Sequence, residues 1–335
     1  VGNNNAGEYF TGIYNGNHCT ITGGKNMTWK VVGSAKLTGL FGYIGSGTVM
    51  DLSIRKVAIE STDVLQAGIL AAAMGSAKIS GVSVSDSAIK CDTNTTEQTF
   101  FGGLTGSVSA SSFEKCTVDD TNIETVNAQV NIVRVGGFIG YGSQSTFTDC
   151  AVNGGTFNAA SSKIANGHSI LGGFTAGGHD VVFRNCSTSA DVHNGGSYNV
   201  YTGGFGGLVS KSTTGELVFE NCTASGNITT EDASGLQEAA GFVSTLATTA
   251  SKAGFVKPLF QNCAALGKFV KIGSAGLSSV ISGSFNGRNS IILDSTETAD
   301  YAGVFVNNVC TNTTYGKVAL TNAYNATNNA DIDRG

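Results

Sequence analysis

The chain holds a single proline and a single tryptophan in 335 residues, and only 13% of those residues are charged. That share is roughly half of what soluble domains carry. Disordered chains are charged and poor in β-branched residues, so the composition argues against disorder. The formal net charge of -5 comes with no basic run, which leaves nucleic acid and anionic membranes without an electrostatic footprint. The longest apolar stretch, around Ala67 to Met74, is too short to span a bilayer. Cys-x-x-Cys pairs and Cys/His clusters at zinc spacing are absent, so no metal and no other cofactor is expected. Val1 is not followed by a charged-then-apolar leader, so a signal peptide is expected to have been removed or not included.

Glycine is abundant, at 47 residues about twice its usual share, and one phrase keeps returning. Phe113-Glu114-Lys115-Cys116, Phe147-Thr148-Asp149-Cys150, Phe183-Arg184-Asn185-Cys186, Phe219-Glu220-Asn221-Cys222 and Phe260-Gln261-Asn262-Cys263 each place a phenylalanine three residues before a cysteine. The steps between the phenylalanines are 34, 36, 36 and 41 residues. A repeat of this length without helical periodicity indicates a solenoid. Aligning on the phenylalanine extends the column to Ile21, Val49 and Ile79 on one side and to Ile292 and Leu320 on the other, ten copies in all. A glycine followed by an apolar residue runs in phase with it, from Gly12-Ile13 through Gly137-Phe138 to Gly303-Val304. A weaker apolar point follows at Ile59, Ile89, Ile123, Phe157, Val192, Ile228 and Phe269.

Three short strands per repeat, separated by Gly/Asn/Ser/Thr turns, are what an all-β, single-stranded parallel β-helix requires. About ten coils are expected, in a single domain over residues 1–335, which is either whole or a piece of a longer surface protein. One coil cannot bury its apolar points alone; stacking at about 4.8 Å buries each on its equivalent in the next coil. The phenylalanines and the cysteines are therefore core columns, the latter free thiols because they interchange with Leu52, Val82 and Ala323. Asn185, Asn221 and Asn262 form a corner ladder with Asp51, Asp149, Asp294 and Asn322, since Gly, Asn and Asp tolerate left-handed backbone. Cys19, Cys91 and Cys310 lie off the column.

Variable stretches between the columns, among them Ile123 to Val135, Ala159 to Leu171, His193 to Thr202 and Thr230 to Ala239, read as flank loops. Tyr198 and Tyr201 fall in one of them and are the candidate surface contacts. The four histidines, His18, His168, His179 and His193, have no nucleophile motif beside them; three sit in Gly/Asn-rich loops, and they are read as solvated loop residues. A glycosidase would need two convergent carboxylates. Asp119 and Asp120 with Asn153 or Asp191 are the best available, and their neighbours in register are Ser, Gly and Thr, so no catalytic residue is expected.

Gly136-Gly137-Phe138-Ile139-Gly140-Tyr141 followed by Thr146-Phe147-Thr148-Asp149-Cys150-Ala151-Val152-Asn153-Gly154 resembles the GLUG-type repeat, and the Gly-Gly-apolar and Phe-x-x-Asn phrases are similar to polymorphic outer-membrane adhesin repeats. The resemblance covers nearly the whole chain. It implies a right-handed parallel β-helix on an extracellular or cell-surface protein, and little about activity. Seven sequons, at Asn26, Asn94, Asn185, Asn221, Asn227, Asn312 and Asn325, fit secretion in a glycosylating host. The expectation is a non-enzymatic adhesin-like or structural scaffold. The alternatives are an end-to-end filament or surface array, and a carbohydrate-binding or polysaccharide-active helix. Partners are further copies of the chain, or surface proteins and glycans.

Overall fold

The structure, a computed structural model, describes residues 8–23, 28–29, 36–62, 64–91, 97–126, 131–161, 167–195, 198–231, 233, 235–249, 258–271, 280–281, 286–292, 304–311, 326–327 and 330–332. These residues form an all-β parallel solenoid with no helix, and so no helix long and apolar enough to cross a membrane.

One turn shows how the sequence makes the coil. Gln98–Gly102 lies in a first sheet, a Gly103-Leu104 corner follows, and Thr105–Ser109 lies in a second sheet. Ser112–Glu114 and Thr117–Asp119 lie in a third sheet on either side of a corner at Lys115, and Asn122–Val126 closes the turn in a fourth. Each strand pairs in parallel with its equivalent one turn away. Three corners of each turn are made by single residues in left-handed conformation: Ala110, Gln144 and Asp180 between the second and third sheets, Lys115 to Asn262 within the third, and Asp86 and Asp120 before the fourth. Such a residue redirects the chain in one step, which keeps the coil short.

Glycine makes the corner between the first and second sheets because backbone approaches backbone there. A Cβ on Gly137 would stand 2.2 Å from the Gly173 carbonyl oxygen, and one on Gly173 would meet Gly204 in the same way. The aromatic after each glycine pair then enters the core. Phe138, Phe174, Phe205 and Phe242 stack face to face with centroids 4.8 to 5.0 Å apart. They meet the edges of Phe113, Phe147, Phe183, Phe219 and Phe260, themselves stacked 4.8 to 5.1 Å apart. Two interlocked aromatic columns thus fill the middle of the coil, continuous with aliphatic residues such as Val49, Leu52 and Ile79 at the N-terminal side.

The structure corrects the sequence reading at five points. Each turn has four sheet faces rather than three strands. About six turns are complete, from Leu37–Thr38 to Ile228–Thr230, rather than about ten, because the third sheet runs beyond the others. At the ends the column assignments slip. Tyr14, not Ile21, pairs with Val49, and Phe305, not Ile292, pairs with Phe260. Ile292 belongs to a second-sheet strand paired with Thr249, and Val304 to the third sheet. Without the Phe-x-x-Cys phrase to mark phase, an apolar residue in any strand fits the column. Leu320, Asp294 and Asn322 lie outside the described residues.

Candidate functional site

The repeated phrase contributes frame. Phe113, Phe147, Phe183, Phe219 and Phe260 are all at most 1% exposed. Cys116, Cys150, Cys186, Cys222 and Cys263 are buried free thiols. Each S–H points back at a carbonyl of the preceding turn or of its own strand: Cys186 Sγ lies 3.5 Å from Phe147 O, and Cys222 Sγ 3.6 Å from Phe183 O. Burial pushes the Cys150, Cys186 and Cys222 thiols well above their ordinary range. The Cys116 thiol is pushed up first by its neighbour Cys150 and then by burial. Thiols in that state are poor nucleophiles. Cys91 is also buried and raised, whereas Cys19 is exposed.

The corner ladder is continuous over five turns. Asn185 Nδ2 donates to Asp149 Oδ1 at 2.8 Å, Asn221 to Asn185 at 2.9 Å, Asn262 to Asn221 at 3.0 Å and Asn307 to Asn262 at 3.2 Å. All five have φ between 53° and 54°. Asn307 takes the place expected of Asp294. Because the Asn185 and Asn221 amides are donated along the ladder, their sequons are committed to the frame, while Asn227 is exposed and off it.

Chemistry that changes from turn to turn sits elsewhere, where the outward faces of the first and second sheets meet. In register on the first sheet are Gln66, Phe100, Arg134, Ile170, Tyr201 and Glu238. Facing them on the second are Ser107, Tyr141, Gly177, Leu208 and Thr245. The two columns touch: Ser107 Oγ donates to Gln66 Oε1 at 2.7 Å, Thr245 Oγ1 to Glu238 Oε2, and Leu208 packs on Ile170 and Tyr201. The outer surface is therefore re-entrant here, and Glu238 and Tyr201 are buried on the outside of the coil.

Arg134 occupies the middle of this face. Its Cζ lies 5.2 Å from the ring centres of both Phe100 and Tyr141, and Nη1 donates to Gln98 Oε1 at 2.7 Å. Among the described residues it makes no ion pair. Burial lowers its pKa and raises that of Tyr141. One turn on, His168 Nδ1 lies 3.1 Å from Asn199 Nδ2, which makes Nδ1 the acceptor and leaves the proton on Nε2. Burial, and then Arg134, lower the His168 pKa and favour the neutral ring.

Other polar groups brace corners. Asp180 accepts from Ser212 N at 2.8 Å and Ser212 Oγ at 2.6 Å, and His179 bridges Asp180 Oδ2 at 3.3 Å and Ser210 Oγ at 2.9 Å. The serine, histidine and carboxylate are thus in contact, but the carboxylate also anchors the 212–215 corner. Of the expected acids, Asp119 accepts from Asn153 Nδ2 at 2.6 Å and Thr117 Oγ1 at 2.9 Å, and Asp191 from Asn227 N at 2.7 Å. Asp120 instead lines an open groove of about 670 Å³ with Lys56 and Asp86.

Two expectations on this surface fail. Tyr201 is only 9% exposed and sits in the strand Asn199–Gly203, so of the proposed contact pair only Tyr198, at 43%, is at the surface. His168, His179 and His193 are strand residues with polar partners, the last 3.2 Å from Glu231, rather than solvated loop residues. The sequence alone places the first sheet in flank loops. The signal available was alternation just before each glycine pair, as in Ile132-Val133-Arg134-Val135 before Gly136-Gly137.

What these features define is a class, the parallel β-solenoid with a patterned outer face. No known protein family and no curated protein matches the chain.

Proposed function

We propose that the chain is a non-enzymatic scaffold of an extracellular or cell-surface protein, a rigid rod that displays a binding face. The observation carrying this is the division of labour: residues that repeat stack on one another inside and along the corners, and the residues that differ collect on the face between the first and second sheets. Of the carboxylates weighed for acid–base work, Asp119 and Asp191 support it, being hydrogen-bonded to neighbouring backbone or side chains, whereas Asp120 lines the open groove. The likeness to GLUG-type and outer-membrane adhesin repeats supports a surface location. The test is binding of the purified chain to cells and to a glycan array, beside a polysaccharide screen for released product. Binding without turnover is expected; product release would end the non-enzymatic reading, and no binding to either surface would end the display reading.

A further inference from the structure

Packing alone does not ask for sulfur in the column that Cys116 begins, since Val82 fills the same place one turn earlier. What the five cysteines share is a ladder. The amide after each one donates to the carbonyl of the cysteine a turn back: Ala151 N to Cys116 O at 3.0 Å, Ser187 N to Cys150 O at 3.1 Å, Thr223 N to Cys186 O at 3.0 Å and Ala264 N to Cys222 O at 2.8 Å. Four of the sulfurs lean the same way, toward a carbonyl of the preceding turn. Cys116 Sγ lies 3.8 Å from Ile79 O and Cys263 Sγ 3.3 Å from Phe219 O, as Cys186 and Cys222 do on Phe147 and Phe183. The sulfurs therefore repeat with the turns, whose spacing the adjoining phenylalanine stack marks at 4.8 to 5.1 Å.

That spacing has a chemical use. A metal–thiolate bond is about 2.3 Å long, so two of them in line span about 4.6 Å, a difference that side-chain torsions take up. Soft ions such as Cu(I), Ag(I) and Hg(II) prefer thiolate ligands and bind two of them in a line. Zinc requires four ligands, and among the described residues no three Cys, His, Asp or Glu side chains converge on one point. The core also dictates the charge. A divalent ion with two thiolates, or a monovalent ion with one thiolate and one thiol, is neutral and escapes the cost of an unpaired buried charge.

We propose that neighbouring thiols of the column Cys116, Cys150, Cys186, Cys222 and Cys263 bind soft, two-coordinate metal ions, one ion to a pair of adjacent turns. The Sγ–H bond breaks and an Sγ–metal bond replaces it. With Hg(II) both protons of the pair go to solvent, with Cu(I) or Ag(I) one does, and no electron moves. All five sulfurs are at most 1% exposed, so loading waits on local opening of the turns. The site is independent of whatever the outer face binds.

The test counts metal on the whole folded chain carrying Cys19→Ser, which removes the exposed thiol. Cys91 and Cys310 lie off the column and give the same background in every variant. The chain is incubated to completion with mercury(II) chloride or with zinc chloride and desalted through a small monothiol, which strips ions held by one sulfur. The remaining metal is then measured by elemental mass spectrometry. Mercury should stay at about two ions per chain, with about two protons released for each, and zinc should not stay. Single substitutions then separate paired from independent thiols. Cys150→Ala and Cys222→Ala each strand an end thiol and should lose about one ion. Cys116→Ala, Cys186→Ala and Cys263→Ala each leave two adjacent pairs and should keep the full count. One folded variant from each set suffices, so a variant that fails to fold leaves the comparison intact. No retained mercury, zinc retained like mercury, or the same count in both sets would overturn the proposal.

Discussion

The inner columns and the outer face between the first and second sheets are built on the same turns, at the same spacing, and follow opposite rules. Inside, Phe147, Phe183 and Phe219 sit on one another, and along the corner each asparagine amide bonds the next. Outside, one register position reads phenylalanine, arginine, isoleucine, tyrosine and glutamate in successive turns. Identity between turns is what parallel stacking rewards, because like side chains in register bury like surface. Its loss at a register position that still packs, as at Arg134, shows that stacking alone does not determine the residue there.

If that contrast is right, substitutions inside should cost the most stability. Phe183→Ala removes a ring stacked 4.9 and 5.1 Å from two neighbours and edge-on to Phe174 and Phe205. It should destabilise by about 3–5 kcal/mol, read as a lower midpoint in urea unfolding. Arg134→Gln, which removes contacts to only two rings, should cost under about 1 kcal/mol. Similar losses at the two positions would erase the distinction between frame and face.

The corner sharpens it further. Asn221→Ala loses two ladder bonds and places alanine at φ 54°, for a cost of about 2 kcal/mol. Asn221→Gly loses the same bonds but suits the backbone, so it should cost less. If glycine proves no better than alanine, the conformation is not what the asparagine supplies. Smaller still is Cys222→Ala, at about 1 kcal/mol for the lost buried sulfur, with glycan binding unchanged.

The two regions also differed in how far they could be read in advance. Phe183-Arg184-Asn185-Cys186 was legible because each residue repeats its neighbours in kind, and the period carries the fold class, the core columns and the ladder. The first sheet was not, since its inward positions vary among Thr99, Val133, Ser169 and Val200, and its outward ones vary more. A strand whose residues change at every turn looks like an insertion. Arg134 carries no sequence signal for that reason, and Tyr201, lying in such a stretch, reads as an outer residue. Its burial depends on Ile170 beside it in the first sheet and on Leu208 of the second, and the latter contact is made only when the two sheets fold face to face.

The smallest effect tests the outer face through its own acid–base chemistry. His168 is half-buried beside Arg134 and Tyr201, and its pKa lies below the ordinary value of about 6.5. The unfolded chain therefore takes up this proton at a higher pH than the folded one does. Between those two values the unfolded state binds more protons, so stability rises with pH across that window. The contribution is present above the unfolded value and lost as pH falls through the folded one. His179 and His193 are strand residues facing Asp180 and Glu231, so a general acid sensitivity is not diagnostic. The difference between wild type and His168→Gln is. Urea midpoints measured from about pH 7.5 down to about pH 5 should fall more steeply for wild type, with the curves converging in slope at the neutral end. Parallel curves throughout would mean that His168 is equally solvated in the folded and unfolded states, and that its burial beside Arg134 and Tyr201 has no energetic consequence.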